Sequence, residues 1–238
     1  SQAFTGGGYV QQIVSSEVTE FLSRHRSNSN LPVDLVLRSR FNPELNKSWF
    51  GSISEMIEGV TMLSIILTGA ALIREREHGT IEHLLVMPVT ALEIMVSKVW
   101  SMGFVVLVAT LGALFIIKGT LGVPVAGSLL LFTLGTALML FATSSLGIFL
   151  ATVAGSMPQF GLLVIMVIMP LQVLSGTVTP RESMPEMIQY LMLAAPNTHF
   201  VIFAQAVLFR GVGLSVVWPQ LLWLLAIGTV LFVLALQR

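Results

Sequence analysis

The sequence predicts an all-α integral membrane bundle, and this assignment rests on composition, the spacing of charges and helix-start signals. Hydrophobic residues make up 55% of the 238-residue chain and charged residues 10%, with a mean hydropathy of +0.88. An ordinary soluble domain carries about 25% charged residues. The small charged fraction therefore places most of this chain in lipid.

Five apolar stretches are long enough to cross a bilayer. A hydrocarbon core of about 30 Å takes roughly 20 helical residues at about 1.5 Å each. Lys118 is the only charged residue between Lys98 and Arg181, and none lies between Arg210 and Arg238. The charges thus fall where connections between spans are expected. The predicted spans are residues 53–73, 99–117, 127–152, 160–176 and 217–236.

Residues 1–52 precede the first span and form a polar segment that we expect to be a small α+β unit. Apolar side chains in residues 11–24 recur at helical spacing, and residues 31–37 are apolar and β-branched enough for a short strand. A segment of about fifty residues can hardly bury a core of its own. A simple cap is therefore favoured over a ligand-sensing unit. Because no leader is present to export this segment, we expect a further span ahead of Ser1.

Basic residues in the short connections predict which face of the bundle is cytoplasmic. One face carries Arg74, Arg76, Lys98 and Arg238, and the other carries Lys118, Arg181 and Arg210. Lys and Arg are enriched in cytoplasmic connections. We therefore expect the first face and the C-terminus in the cytoplasm, and residues 1–52 to be extracytoplasmic.

Two short polar patterns predict helix starts before the first and second spans. Ser52 with Glu55, and Thr90 with Glu93, each fit the S/T-x-x-E capping box ahead of an apolar run. In such a box the two side chains satisfy backbone N–H groups that the first turn leaves unpaired. Both spans are therefore expected to begin near these residues.

The connection between the first two spans, residues 74–98, concentrates charge. Seven ionisable side chains lie at its start: Arg74, Glu75, Arg76, Glu77, His78, Glu82 and His83. Residues 81–87 then predict a short surface helix with one apolar side, which Pro88 ends. Such a segment either docks a soluble partner or is a solvated loop with i to i+4 ion pairs, and the spacing fits both. Zincin sites need histidines four residues apart, whereas His78 and His83 are five apart.

Polar groups inside the later spans are candidates for a translocation path or gate. Ser144 lies on a face of small residues, for which plain helix packing is the favoured interpretation. Gln172 follows Pro170, which frees a backbone carbonyl and bends the helix. A role for this pair in lining or gating a path is a hypothesis.

Residues 177–213 are too polar for a span and too apolar for a free loop. Residues 186–195 within them predict a short helix. Backbone at membrane depth must be buried in protein or face water, so we expect a re-entrant or interfacial helical hairpin at the outer face. Pro180 and Met184 are further candidates for the gate there.

Several kinds of chemistry are missing from the sequence. It has no phosphate-binding loop, no G-x-S-x-G and no H-E-x-x-H. No acid lies between Glu93 and Glu182, which counts against ion-coupled carriers and intramembrane proteases, because both rely on buried ionisable groups. A net charge of +0 gives no reason to expect nucleic acid, and the absence of Cys excludes thiolate metal sites.

Three separated motifs carry a family resemblance. They are Phe41-Asn42-Pro43, residues 75–89, and an outer set at 175–176, 180–185 and 196–200. The second reads Glu-Arg-Glu-His-Gly-Thr-Ile-Glu-His-Leu-Leu-Val-Met-Pro-Val and resembles the E-R-E-x-G-T-x-E-x-L-L-x-x-P loop of the ABC-2 type permeases, the membrane halves of bacterial ATP-binding-cassette transporters. The other two motifs are similar to signatures of the same family, so the likeness covers nearly all of the chain.

The resemblance implies a six-span subunit with a large extracytoplasmic segment after its first span. This chain, with its transmembrane domain at 53–238, then lacks that first span. Family members pair two permeases with two ATPases in the bacterial inner membrane. The implied partners are the lipid bilayer, an ABC ATPase, a second permease and an adaptor of the membrane-fusion type. ATP and Mg are then bound by the ATPase rather than by this chain, which is no enzyme by itself.

The resemblance also implies a mechanism and the residues that carry it. The loop 74–98 corresponds to the coupling region, whose short helix seats in a groove of the ATPase. The implied coupling residues are Glu75, Arg76, Glu77, Gly79, Thr80, Ile81, Glu82, Leu84, Leu85 and Pro88. Alternating access would then export a hydrophobic drug, a lipid-like molecule or a polysaccharide. Two alternatives remain: a membrane anchor for an ATPase without transport activity, and a membrane-embedded enzyme, disfavoured because no nucleophile and base can be named.

Overall fold

Seven helices lie between residues 47 and 238 in the part of the chain that the structure describes. The computed structural model describes residues 17, 20, 47–78, 90–123, 125–175 and 184–238. In chain order the helices are α1 (Lys47–Glu77), α2 (Ala91–Leu121), α3 (Leu129–Val153), α4 (Met157–Leu174), α5 (Glu186–Met192), α6 (Pro196–Leu208) and α7 (Leu214–Gln237). These described residues contain no β-strand, in agreement with the predicted helical bundle.

Five of these helices, α1 to α4 and α7, are long and apolar enough to cross a membrane. Each predicted span falls on one of them, including residues 160–176 on the shortest, α4. Only a helix or a closed barrel pairs all of its backbone groups in lipid, so a long apolar run has few other structures open to it. The prediction of five spans is confirmed for the described residues.

One of the two predicted capping boxes is confirmed and the other is wrong. The Glu93 backbone N–H donates to the Thr90 hydroxyl oxygen at 3.3 Å, and the Thr90 N–H donates to Glu93 Oε2 at 2.7 Å. Ser52 and Glu55 instead lie inside α1, which already includes Lys47. The apolar run marks only the membrane-embedded part of α1, and the helix continues beyond it.

α3 occupies the centre of the bundle, where it packs against α2, α4, α6 and α7. It also approaches α1 closely, because glycines lie at the crossing. A Cβ at Gly147 would lie 2.5 Å from the carbonyl oxygen of Ile65, and a Cβ at Gly69 would lie 2.7 Å from that of Gly147. Small residues permit such close approach of two backbones. The small-residue face of α3 is therefore a helix-packing surface.

α5 and α6 form a bent pair, with an angle of 87° between them. α6 is buried along most of its length. Its first turn contacts α1 through Asn197, which accepts a hydrogen bond from Thr61 near the middle of α1. At its other end, the Leu208 carbonyl accepts from the Ala126 N–H at 3.0 Å, in the connection between α2 and α3. α6 therefore covers only part of the depth that α1 covers.

The sequence predicts one helix in this region, over residues 186–195, and the structure has two. α5 ends at Met192, and Pro196 opens α6 at the beginning of its first turn. Proline suits that position because its fixed φ is helical and it has no N–H to pair. Because residues 197–199 are polar, a search for apolar runs does not detect α6. Pro196 was nevertheless a usable signal for the start of this helix.

Part of the predicted organisation lies outside the described residues. In the range 11–24, for which a helix is predicted, only Glu17 and Glu20 are described, and both are helical and exposed. The strand predicted at 31–37, the surface helix at 81–87 and residues 176–183 of the outer segment are not among the described residues.

Candidate functional site: a charged junction at the end of the first span

The last turn of α1 carries four consecutive charged residues, and each of the last three bonds to a different helix or helix end. The Lys98 ammonium of α2 donates to the Glu75 carboxylate in an ion pair. The Arg76 guanidinium Nη1 donates to the Ala154 carbonyl, just beyond α3, at 3.0 Å. The Met157 N–H at the start of α4 donates to Glu77 Oε1 at 2.7 Å. We call residues 75–77 and these three contacts the junction.

Helix geometry explains how neighbouring residues reach three different helices. Successive side chains of an α-helix point about 100° apart, since 3.6 residues complete a turn. Glu75, Arg76 and Glu77 therefore point to three sides of α1. Because α1 adjoins α3 at the glycine crossing, its last turn lies within reach of the helix ends that surround it.

The charges of Arg76 and Glu77 match the helix ends that they meet. The last carbonyls of a helix and its first N–H groups have no partner within the helix, and they carry partial negative and positive charge respectively. Arg76 supplies a cation at the end of α3, and Glu77 supplies an anion at the start of α4. Ser156, the residue before α4, makes no side-chain capping bond. Glu77 therefore caps α4 from another helix.

The Glu75–Lys98 pair is partly shielded from solvent. The Lys98 side chain is 18% exposed and that of Glu75 is 29% exposed. The pair lies beside an apolar cluster that includes Leu72, Val99 and Phe232. An exposed ion pair contributes about 0–1 kcal/mol, and partial removal of water strengthens the attraction while adding a desolvation cost. The position of the Glu75–Lys98 pair matters more here than its net energy, because the pair holds the two ends of the connection 74–98 together.

The junction stands at one end of the predicted coupling loop, and the Thr90–Glu93 capping box stands at the other. The loop is thus attached to the bundle on both sides. Three of the predicted coupling residues belong to the junction, where they contact helices of their own chain. The other seven, Gly79, Thr80, Ile81, Glu82, Leu84, Leu85 and Pro88, lie outside the described residues.

A second group of polar contacts joins α1 to α3 and α6 inside the bundle, and we call it the polar seam. Its three hydrogen bonds run from Thr61 to Asn197 Oδ1 (2.6 Å), from Ser64 to the Thr143 hydroxyl (2.6 Å) and from Thr68 to the Ser144 hydroxyl (3.1 Å). All six residues are 0% exposed. The three α1 residues are three and four positions apart, so they share one face of that helix. This spacing within an apolar span is the sequence signal that could have identified the seam.

The polar seam leaves two buried groups unpaired at the start of α6. Asn197 Nδ2 and Thr198 Oγ1 have no hydrogen-bond partner among the described residues. An unpaired buried polar group costs about 1–3 kcal/mol. His199, the next residue, is satisfied differently: its Nε2 lies 2.8 Å from the Leu193 carbonyl, and its ring stacks on Trp223.

The residues predicted to line a path or gate lie in different environments. Ser144 belongs to the fully buried polar seam, whereas Pro170 is exposed and Gln172 is half-buried near the end of α4. Met184 is 7% exposed, and its carbonyl accepts from Gln189 Nε2 at 2.9 Å. Pro180 lies outside the described residues.

A cavity of about 240 Å³ opens between α2 and α3 instead. Its lining is apolar and consists of Val99, Trp100, Gly103, Phe104, Leu107, Ala137, Leu140 and Phe141. The sequence singled out none of these residues, because nothing in their local pattern distinguishes them from lipid-facing side chains.

The sequence of the chain is similar to those of known proteins. A family model described as ABC-2 type transporter matches residues 35–209, which include the junction and the polar seam. The inner membrane transport permease YhhJ of Escherichia coli K12 is 60% identical over 239 residues, covering 100% of this chain. The probable multidrug ABC transporter permease YbhR of the same organism is 30% identical over 231 residues, covering 95% of this chain.

The chain spans 64% of the length of the first of these relatives and 61% of the second. No solved structure matches it. The family model covers well over half of the chain, and the identity to the first relative extends along all of it. The chain therefore belongs to the ABC-2 type transporter family.

Proposed function

We propose that this chain is the membrane domain of a permease subunit in an ATP-driven exporter, and that a separate ATPase drives it through the loop 74–98. The observation that carries the proposal is the junction. Three consecutive residues at the start of the loop bond to α2, to the end of α3 and to the start of α4. A loop attached in this way can pass a displacement to several spans at once.

The ATPase is proposed to dock on residues 79–89, between the two attached ends of the loop. The family resemblance assigns docking to the helix predicted over residues 81–87, and coupling to that helix together with Glu75, Arg76, Glu77, Gly79 and Thr80. ATP and Mg bind to the ATPase in this proposal. This chain then contributes motion rather than chemistry, which fits a sequence without a phosphate-binding loop.

Alternating access is proposed for a pair of permease subunits. The face that carries the junction is cytoplasmic and holds the C-terminus, while residues 1–52 lie outside. The bent pair α5 and α6 is proposed to form the outer re-entrant hairpin; the contacts of α6 with Thr61 near the middle of α1 and with Ala126 support this proposal. ATP-driven approach of the two docked loops opens a path at this outer end, and hydrolysis closes it again.

A hydrophobic drug is the proposed cargo, with a lipid-like molecule or a polysaccharide as alternatives. Support comes from one relative at 30% identity, which is named a probable multidrug ABC transporter permease. The bundle presents mostly apolar surface, which suits an amphipathic molecule arriving from the bilayer. An adaptor of the membrane-fusion type would extend the path beyond the inner membrane.

Reconstitution of the full-length protein tests this proposal. The protein is purified with the ABC ATPase that accompanies it and is placed in sealed vesicles with a fluorescent amphipathic dye. We expect hydrolysis to be stimulated by the permease and the dye to move only with ATP. An ATPase variant that binds ATP without hydrolysing it is the control. Stimulated hydrolysis without movement of any of the three cargo classes would instead favour a membrane anchor.

A further inference from the structure

We infer that Glu75, Arg76 and Glu77 are positioning residues that pass the movement of the loop to α2, α3 and α4, and that they are not part of the surface that binds the ATPase. This inference rests on the proposed function and divides its loop into two parts. Residues 79–89 receive the ATPase, and residues 75–77 distribute the displacement inside the membrane subunit.

Each charge of the junction is already engaged within this chain. Glu75 is paired with Lys98, and Arg76 and Glu77 bond to a backbone carbonyl and a backbone N–H at helix ends. Arg76 and Glu77 are exposed, but a docking contact that turned any of the three side chains would weaken a charge-assisted hydrogen bond, which is about twice as strong as a neutral one. The three side chains are therefore better suited to hold helices than to attract a partner.

Arg76 and Glu77 hold the two sides of one tight turn. Ala154 ends α3 and Met157 begins α4, with two residues between them. Within this turn the Gly155 N–H donates to Gln159 Oε1 at 2.8 Å. Because both side chains bond to the same short turn, a shift of α1 moves the ends of α3 and α4 together.

Glu75 acts on the loop itself. Lys98 lies in the third turn of α2, and its pairing with Glu75 closes the base of the loop. The loop can therefore transmit a push to α1 and α2 as a unit, instead of absorbing it by separating their ends. Charge reversal at one partner breaks the Glu75–Lys98 ion pair, and reversal at both partners restores it. The role of this ion pair can therefore be tested.

The test uses the full-length protein with its ATPase in lipid nanodiscs and measures binding and stimulated hydrolysis separately. Glu75→Lys and Lys98→Glu are each expected to lower stimulation roughly tenfold while ATPase binding stays within about twofold. The double variant, Glu75→Lys with Lys98→Glu, is expected to recover most of the stimulation. Arg74→Gln is the matched control, because Arg74 is exposed in the same turn and bonds to no described residue through its side chain.

A distance measurement tests the contact between Arg76 and the turn that joins α3 to α4. The chain has no cysteine, so spin labels placed at Val153→Cys and Gln237→Cys, both exposed near the junction face, report movement of the end of α3. The distance is expected to change with ATP in the parent protein and to stay fixed in Arg76→Met. Arg76→Lys, which retains a donor and the charge, is expected to restore the change in part.

Three results would overturn the inference. One is a loss of ATPase binding as large as the loss of stimulation in the single variants, which would make residues 75–77 docking residues. Another is failure of the double reversal to recover stimulation, and the third is an unchanged ATP response in Arg76→Met. If a charge reversal prevents folding, Glu75→Gln replaces it with the same two readouts. A parent protein that binds no ATPase refutes the proposed function instead and is recognised before any variant is made.

Discussion

Glu77 of α1 accepts the N–H of Met157, the first residue of α4, although 79 residues of chain separate the two. The carboxylate thus does for α4 what a capping residue usually does for its own helix. The adjacent bond from Arg76 to the Ala154 carbonyl completes the same turn. The stability of α4 therefore depends on the position of α1.

Glu77→Ala is predicted to weaken the start of α4. It removes the acceptor of the Met157 N–H, and loss of a capping side chain costs about 1 kcal/mol. The expected result is a fall of about 2–4 °C in Tm for the protein in detergent, with faster hydrogen exchange at the beginning of α4. Glu77→Gln keeps an acceptor and is expected to show a smaller fall. Equal effects of the two substitutions would contradict the capping role.

Thr90→Ala is predicted to loosen the first turn of α2. The Thr90 hydroxyl accepts from the Glu93 N–H, and its replacement by alanine costs about 0.5–2 kcal/mol. Hydrogen exchange should become faster in the first turn of α2 and stay unchanged in its centre. Thr90→Ser retains the hydroxyl and serves as the control. Exchange that rises along the whole of α2 would mean that the substitution disturbs more than the cap.

Gly147→Ala is predicted to push α1 away from α3. The new Cβ would lie 2.5 Å from the carbonyl oxygen of Ile65, and overpacking of this kind costs about 1–3 kcal/mol. Gly161→Ala, on α4, is the matched control, because a Cβ there meets no atom of the chain within 4 Å. Its expected effect has the opposite sign, since alanine favours a helix interior by up to about 1 kcal/mol. Unfolding of both variants in graded denaturing detergent measures the difference.

Thr61→Val and Asn197→Leu are predicted to be coupled. The Thr61 hydroxyl donates to the Asn197 amide oxygen at 2.6 Å between two buried side chains. Hydrogen bonds between membrane helices contribute about 0.6 kcal/mol on average and at most about 1.7. The two single variants and the double variant form a cycle, and the expected interaction energy lies in that range. Strictly additive losses of stability would show that the contact contributes nothing.

The spans could be predicted because apolar length alone decides them. A run of roughly 20 apolar residues has one stable conformation in lipid, and each of the five falls on a helix of the structure. The Thr90 capping box could be predicted for a similar reason, since all of its bonds lie within four residues. The capping box predicted at Ser52 was wrong because the same pattern is compatible with a helix interior.

The contacts of the junction and the burial of α6 could not be predicted from local sequence patterns. The motif at 75–77 was visible, yet its partners at Lys98, Ala154 and Met157 depend on how four helices meet. The polar first turn of α6 is buried only because α1 and α7 cover it, through Thr61 and Trp223. Tertiary packing decides which helix ends the junction contacts and how deeply α6 is buried, whereas Pro196 marks in the sequence only where α6 begins.

The capping of α4 by Glu77 also bears on the order in which this protein is made. A chain grows from its N-terminus, so α1 is inserted while α4 is still unsynthesised. When Met157 emerges, the carboxylate that accepts its N–H is already in place at the end of α1. α1 thus serves as a template for the start of α4, and rearranging the gene so that α4 is translated before α1 would remove that template at the moment of insertion.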